Sequence, residues 1–200
     1  MNYIDDIYSR FPIIDFHEDF ILRQPTILQE DCLSIKEIYT DPLVIKFVPD
    51  DCIPHTDEDM KEEARYYANC YLFKKSIYWF IAEKSTNKAV GTCGFPSWDR
   101  HNQKAELSYN IIGKYHNRGI MTKAIGMALK YAFEVMKVVR IDSQLDQTNI
   151  ASIRVLEKNG MTKDGILPKY RRYKNNSHVD VLMMSITDDV YFGLKNKKNI

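Results

Sequence analysis

Several features that would point directly to a class of function are missing from this sequence. Its cysteines, Cys32, Cys52, Cys70 and Cys93, form no C-x-x-C pair and no Cys/His cluster at zinc-ligand spacing, so no metal site is expected. Scattered single cysteines of this kind read as free thiols, mostly buried, in a reducing compartment. There is almost no net charge: 28 basic against 27 acidic side chains leave +1, which provides no global field for nucleic acid. No apolar run approaches the roughly 18 residues that a membrane span needs. The N-terminus carries Asp5 and Asp6 with neither a basic nor an apolar leader region, so no signal peptide is expected and the chain reads as cytoplasmic. Internal repeats and low-complexity tracts are absent too.

What is present suffices for one good core. Hydrophobic residues make up 44% and aromatics 12% of 200 residues, the scale of one domain with an extension. The charge is unevenly placed. Asp50, Asp51, Asp57, Glu58, Asp59, Glu62 and Glu63 cluster before the midpoint, and Lys195-Asn196-Lys197-Lys198 makes the tail basic. Solvated helix faces and a frayed end account for both.

Taken in order, residues 1–17 mix aromatics and acids without a period, and Pro12 breaks any helix, which suggests an extension packed on the domain. Asp19 to Gln24 reads as a first strand. A helix follows from Glu30 and Asp31 to about Tyr39, and Asp41-Pro42 restarts the chain with proline at a first helical position. Thr56 has the character of an N-cap with Asp59 completing a capping box, for a helix ending near Phe73. Ser76–Ala82 and Ala89–Gly94 form a strand pair about the turn Ser85-Thr86-Asn87-Lys88, and Phe95 to Asn102 reads as a loop. Gln103–Ile112 alternates as a strand. Met121, Ile125, Ala128, Ala132 and Val135 then share one helical face. Val138–Ser143 is a short strand, and Asn149–Asn159 a helix closed by Gly160. Strands Met161–Arg171 and Val179–Ile186 flank the turn Lys174-Asn175-Asn176-Ser177. This order implies a mixed α/β fold: one central, mostly antiparallel sheet of six to seven strands with helices on both faces.

The most informative stretch is His116-Asn117-Arg118-Gly119-Ile120-Met121, between a strand and a helix. Backbone N–H groups at a helix start lack partners, and the helix dipole adds positive charge there, so a strand–glycine loop–helix junction is suited to phosphate. Arg118 adds a formal charge, and Gly119 supplies the backbone freedom.

With that loop, three further stretches complete a pattern. Glu106-Leu107-Ser108-Tyr109 precedes the loop, Asn149 to Ser152 follows a short strand, and Glu157-Lys158-Asn159-Gly160-Met161 closes the next helix. Together with Leu22-Arg23 in the first strand, they resemble the GNAT superfamily of acetyl-CoA-dependent N-acetyltransferases over about residues 18–187, most closely its RimJ/RimL-type ribosomal-protein branch. On that resemblance residues 1–17 are an N-terminal extension and 188–200 a tail. His116 replaces the usual Gln or Arg and Met121 the final Gly or Ala. Both changes leave a backbone-built cradle intact. Leu156 stands where many members have a tyrosine, so protonation of the leaving thiolate needs another donor.

The resemblance implies that acetyl-CoA lies where the fourth and fifth strands splay apart. Its pantetheine would pair near Ile111 and Ile112, and its pyrophosphate would sit on Asn117, Arg118, Gly119, Ile120, Met121 and Thr122 next to His116. Asn149 and Ser152 would meet the pantetheine and thioester sulfur, with Ser152 as the thiolate's proton donor. Glu106 is the implied general base. Its own strand phase places it with Ser108 and Asn110, opposite Leu107, Tyr109 and Ile111. An α-amine has a pKa of about 7.7–8.0 against about 10.4 for lysine, a difference worth roughly 3 kcal/mol, so a weak base suits an α-amine.

The expected activity is direct transfer, in a ternary complex, to a protein N-terminal amine. A polyamine or aminoglycoside acceptor, a non-catalytic acyl-CoA-binding module, and an acetylated Cys93 are the alternatives. No nucleic-acid or membrane partner is expected, and exposed strand ends leave a homodimer open. His17, His55, His101 and His178 are isolated and read as surface or core residues.

Overall fold

The computed structural model describes residues 3–49, 52–172 and 177–198. Asp50, Asp51 and most of the turn 174–177 lie outside the described residues. Among the described residues eight strands form one sheet in the order β1-β2-β3-β4-β5-β6-β8-β7, one or two more than the sequence suggests. They are β1 (Ile14–Asp15), β2 (Phe20–Arg23), β3 (Tyr78–Glu83), β4 (Ala89–Asp99), β5 (Lys104–Ile111), β6 (Arg140–Leu145), β7 (Thr162–Arg172) and β8 (His178–Thr187). Every neighbouring pair is antiparallel except β5 and β6, which run parallel. Helices α1 (Tyr3–Ile7), α2 (Gln29–Thr40), α3 (Pro42–Ile45), α4 (Asp57–Leu72), α5 (Ile120–Tyr131), α6 (Ile150–Lys158) and α7 (Asp188–Lys198) complete the order.

The core is centred on β3. Tyr78 to Ala82 are all buried, so this strand is covered on both faces by bulky residues suited to a pleated surface. Its alternation names the two faces. Tyr67 of α4 lies 4.6 Å from Tyr78 and 5.8 Å from Phe80, whereas Tyr131 of α5 lies 5.4 Å from Trp79 on the other side. The helix starts follow local rules. Asp41 caps α3 by accepting from Leu43 N–H, and Thr56 and Asp59 form a reciprocal capping box on α4. At the end of α6, Gly160 adopts φ +85°, Gly160 N–H bonds Glu157 O and Met161 N–H bonds Leu156 O, the paired closure of a Schellman motif.

Four details differ from the sequence expectation, each for a non-local reason. The extension adds β1 to the sheet edge by pairing with β2, and Trp79 Nε1 donates to Pro12 O at 2.7 Å. The expected loop after Gly94 is strand: Gly94 pairs with Ser108 and Ser97 with Glu106, so a bulge lets Pro96 sit in β4 without breaking the ladder. One turn of π-helix at Ala132–Met136 rotates the end of α5, which exposes Val135 (41%) and buries Phe133 and Met136 instead. The basic tail is helical rather than frayed. Tyr191 of α7 stacks on Phe133 at 4.8 Å, and both Tyr191 Oη and Lys195 Nζ bind Glu134.

Candidate active site

The parallel ladder between β5 and β6 has only three rungs, Lys104↔Arg140, Ala105↔Ile141 and Glu106↔Asp142. Beyond Glu106 the strands separate. Each keeps its other neighbour, β5 with β4 as far as Ile111 and β6 with β8 as far as Leu145, so a wedge opens within an intact sheet. At its apex Ser143 Oγ donates to Leu107 O at 3.1 Å, so a side chain takes over where the ladder bond would have been. Further out, Ile112 N–H donates to Val90 O, so its neighbour Ile111 turns its own N–H and C=O away from β4, into the opening. Ile112 itself is engaged on both sides, because its C=O accepts from Tyr115 N–H. His116 Nε2 lies 3.0 Å from Ile111 O, which can only accept, so the ring donates there and folds the loop back onto the strand.

The loop from β5 to α5 is held at several points. Asp41 Oδ2 accepts from Gly113 N–H at 2.8 Å, and Tyr115 Oη donates to Glu83 Oε1 at 2.7 Å. Asn117 (φ +60°) and Gly119 (φ +73°) are both left-handed, the kind of backbone that turns successive N–H groups toward one concavity. A Cβ built on Gly119 meets nothing within 4 Å, so the loop's outer side is open. Gly119 is also the N-cap of α5 and offers no side-chain cap, which leaves the first N–H groups of a twelve-residue helix uncapped. Ile120 and Met121 bury their side chains in the core, so only their backbone faces the loop, and Thr122 is half-buried with its C=O bound by Asn159. The Arg118 guanidinium lies over the rings of Phe20 (5.8 Å) and Tyr115 (5.7 Å), beside the loop.

Across the wedge, Asn149 is the N-cap of α6: its Oδ1 accepts from Ser152 N–H at 3.1 Å, which leaves its amide donors free of that bond. Ser152 is half-buried in the first turn, and Tyr109 Oη donates to its C=O at 3.4 Å. Leu156, one turn on, is fully buried.

Glu106 is half-buried on the α4 face at the wedge's apex. Burial raises its carboxyl above the usual range; the Arg171 guanidinium opposes the shift and Asp142 adds to it. Asp142 is itself bound by Arg140, whose Nε lies 2.6 Å from Asp142 Oδ1. Cys93 is buried and its thiol is pushed up to about 12, so it is inert as a nucleophile at neutral pH. Among the described residues no group of three or more His, Cys, Asp or Glu side chains is placed to hold a metal.

The structure thus gathers Glu106, Ile111, the loop 116–122, Asn149 and Ser152 around one opening. Two of its lining residues were not assigned there from sequence. Asp142 depends on the parallel register, for which no local signal exists. Tyr109 was legible as a residue of the Leu107 face, and its odd phase past Glu106 was the available clue.

A family model described as an acetyltransferase (GNAT) domain matches residues 19–162. The chain belongs to the GNAT acetyltransferase family. It is accordingly an acyltransferase. Among curated relatives, the uncharacterized N-acetyltransferase p20 of Bacillus licheniformis is 27% identical over 89% of this chain and 98% of its own length. RimL, a ribosomal L7/L12 α-N-protein acetyltransferase solved with coenzyme A, shares the fold at a TM-score of 0.78 and 17% identity, covering 90% of this chain and 99% of that one. The microcin C7 self-immunity acetyltransferase MccE, solved with acetyl-CoA and AMP, gives a TM-score of 0.74 at 21% identity, covering 87% and 95%. The GNAT fold accounts for the wedge: one mostly antiparallel sheet whose single parallel pair parts in the middle.

Proposed function

We propose that this chain transfers an acetyl group from acetyl-CoA directly to a primary amine, with a protein N-terminal α-amine as acceptor and Glu106 as general base. The observation that carries the reading is the position of Glu106 on the last rung of the parallel ladder, at the apex of the wedge. Acetyl-CoA is the co-substrate, and when bound it supplies an already activated thioester carbonyl.

The residues present fit that molecule. Ile111 offers an edge N–H inside the opening for an amide-bearing chain, and the Asn117–Thr122 loop offers uncapped N–H groups for a diphosphate. Asn149 and Ser152 border the same opening from α6. With the thioester activated, the protein has to position the partners, remove a proton from the amine and polarise the carbonyl with strand N–H groups.

The acceptor follows from the base. A carboxyl raised by burial accepts a proton better than an ordinary one, and of the two kinds of amine the less basic α-amine asks less of it than lysine does. A cleft of about 490 Å³ lies on the same side of the sheet, bordered by Asp59, Glu62, Glu63 and Tyr66, and the Tyr66 phenol feels the Glu106 charge. It favours an acceptor with positive charge near its amine. RimL, whose acceptor is a protein α-amine, lends the N-terminal reading support by fold alone.

The test is an acetyl-CoA-dependent assay across N-terminal peptides, polyamines and aminoglycosides. Preferential acetylation of a peptide α-amine is expected. Turnover of a polyamine or aminoglycoside with no peptide acetylated would overturn the protein acceptor and keep the transferase.

A further inference from the structure

On the opposite side of the reaction the leaving thiolate needs a proton, a role the family resemblance gives to Ser152, and a second hydroxyl lies against that serine. Tyr109 stands three residues past Glu106 on β5, so the two side chains project from opposite faces of the sheet. The cross-strand rows agree. Trp79, Cys93 and Tyr109 are register partners on the α5 side, whereas Tyr78, Gly94 and Ser108 form the adjacent row on the α4 side. Along the strand the separation is about 10 Å.

Tyr109 belongs to the part of β5 that has left β6. Its phenol nevertheless reaches the first turn of α6, where Tyr109 Oη donates to Ser152 O at 3.4 Å. The ring therefore links β5, beyond its last rung with β6, to the first turn of α6. A bond of 3.4 Å is long, so the hydroxyl can leave that carbonyl for a stronger acceptor at small cost. Burial raises the phenol above its ordinary value, and the Ser152 hydroxyl beside it works in the opposite direction. Tyr109 thus carries its proton throughout the neutral range, and Ser152 beside it is only half-buried. Leu156, buried at the next turn of α6, offers no polar atom.

We propose that Tyr109 is the proton donor to the leaving thiolate, with Ser152 returning the proton from water. The assignment rests on the acetyl-CoA reading above. As the amine nitrogen forms its bond to the acetyl carbon, the carbon–sulfur bond breaks and its electron pair leaves on sulfur. The Tyr109 proton moves to that sulfur, the Ser152 hydroxyl gives its proton to the phenolate, and water restores Ser152. The amine's own proton departs on the other face to Glu106. Glu106 then releases that proton to solvent, which offsets the proton water gave to Ser152, so the sum is amine plus thioester giving amide plus thiol with every protein group restored.

The experiment begins without an acceptor, by titrating the thiol of coenzyme A bound to wild type and to Tyr109→Phe through its ultraviolet thiolate absorbance. A phenol that donates to sulfur stabilises the thiolate, so at a fixed pH the thiolate fraction should be several-fold smaller in Tyr109→Phe. In turnover, kcat should fall about 10²-fold with KM for acetyl-CoA little changed. An acetyl thioester of an acidic aryl thiol, which leaves unaided, should recover most of that loss. Because the ring is also packed, fluorotyrosine at 109 provides a second variant of nearly the same shape, and its more acidic phenol should raise the thiolate fraction. Identical thiol titrations in all three proteins, or an equal loss of kcat with both donors, would overturn the assignment. If wild type binds no coenzyme A, the acetyl-CoA reading falls first; if it binds and transfers but the variants match it, only the role of Tyr109 falls.

Discussion

Glu106 and Asp142 are partners on the last rung shared by β5 and β6; beyond it the backbone ladder ends, and the Ser143 hydroxyl bond to Leu107 O links the strands one residue further on. Two carboxylates on adjacent parallel strands repel, and here Arg140 binds Asp142 while Glu106 is left half-buried with a raised carboxyl. The pairing sets the base at the place where the sheet parts, and burial, with a smaller push from Asp142, tilts it toward holding a proton.

Glu106→Gln should therefore lower kcat by about 10²-fold or more while coenzyme A binding is retained. It should also remove the acid limb of the pH–rate profile, which in wild type lies above the ordinary carboxylate range. Stability should move the other way. Burial makes the folded-state pKa higher than the unfolded value, so the Glu106 contribution is present below the unfolded pKa of about 4.3 and is lost as pH rises through the folded value. At neutral pH the ionised side chain is a net cost. Thermal melts should show Glu106→Gln more stable than wild type there, with the gap closing toward about pH 4.

The parts of this arrangement legible in sequence are those governed by local chemistry. Thr56 with Asp59, Asp41 with Pro42, and the glycines at 119 and 160 obey rules of a few residues' range, and each does in the structure what its neighbours require. The parts that were not legible depend on distant pairing. Pro96 looks like a strand breaker until pairing with β5 accommodates it in a bulge of β4, and Val135 fits the helical stripe until the π-turn rotates it outward. The Glu106–Asp142 rung is of the same kind: a parallel register is set by the crossover helix and leaves no mark on either strand.

Gly119 tests the diphosphate loop. Its φ of +73° is strained for residues with a Cβ, although open space surrounds the position, so backbone conformation and not collision decides the outcome. Gly119→Val should cost about 1–2 kcal/mol locally and weaken coenzyme A binding at least tenfold, with far-UV circular dichroism unchanged. Gly119→Asn, which tolerates the left-handed region, should keep most of the affinity. Calorimetric titration of both variants against coenzyme A measures the difference; equal affinities for Val and Gly would remove the loop from the binding site.

Asp31 tests the scaffold behind β2. Arg23 Nη1 bonds Asp31 Oδ2 at 3.0 Å, Thr26 bonds the same oxygen through backbone and hydroxyl, and both charged residues are buried. Asp31→Ala leaves a buried guanidinium without its counter-charge and should cost about 3–5 kcal/mol in urea denaturation. Replacing both partners, as Arg23→Met with Asp31→Leu, should recover most of the loss, because apolar residues of similar volume remove the desolvation penalty along with the pair.

The N-terminal extension offers the last test, because three of its contacts reach the core. Phe11 is buried with its ring 6.3 Å from Trp79 and 4.8 Å from Tyr71, Trp79 Nε1 donates to Pro12 O, and Ile14–Asp15 add β1 to the sheet edge. Phe11→Ala should cost about 3–5 kcal/mol through the lost burial and the cavity left behind. Deleting residues 1–15 should cost more than that single change. It leaves Trp79 Nε1 without its partner, worth about 1–3 kcal/mol if the indole stays buried, and opens the edge of β2. Chemical denaturation compares the three proteins. A deletion as stable as wild type would make the extension an appendage instead of a part of the fold.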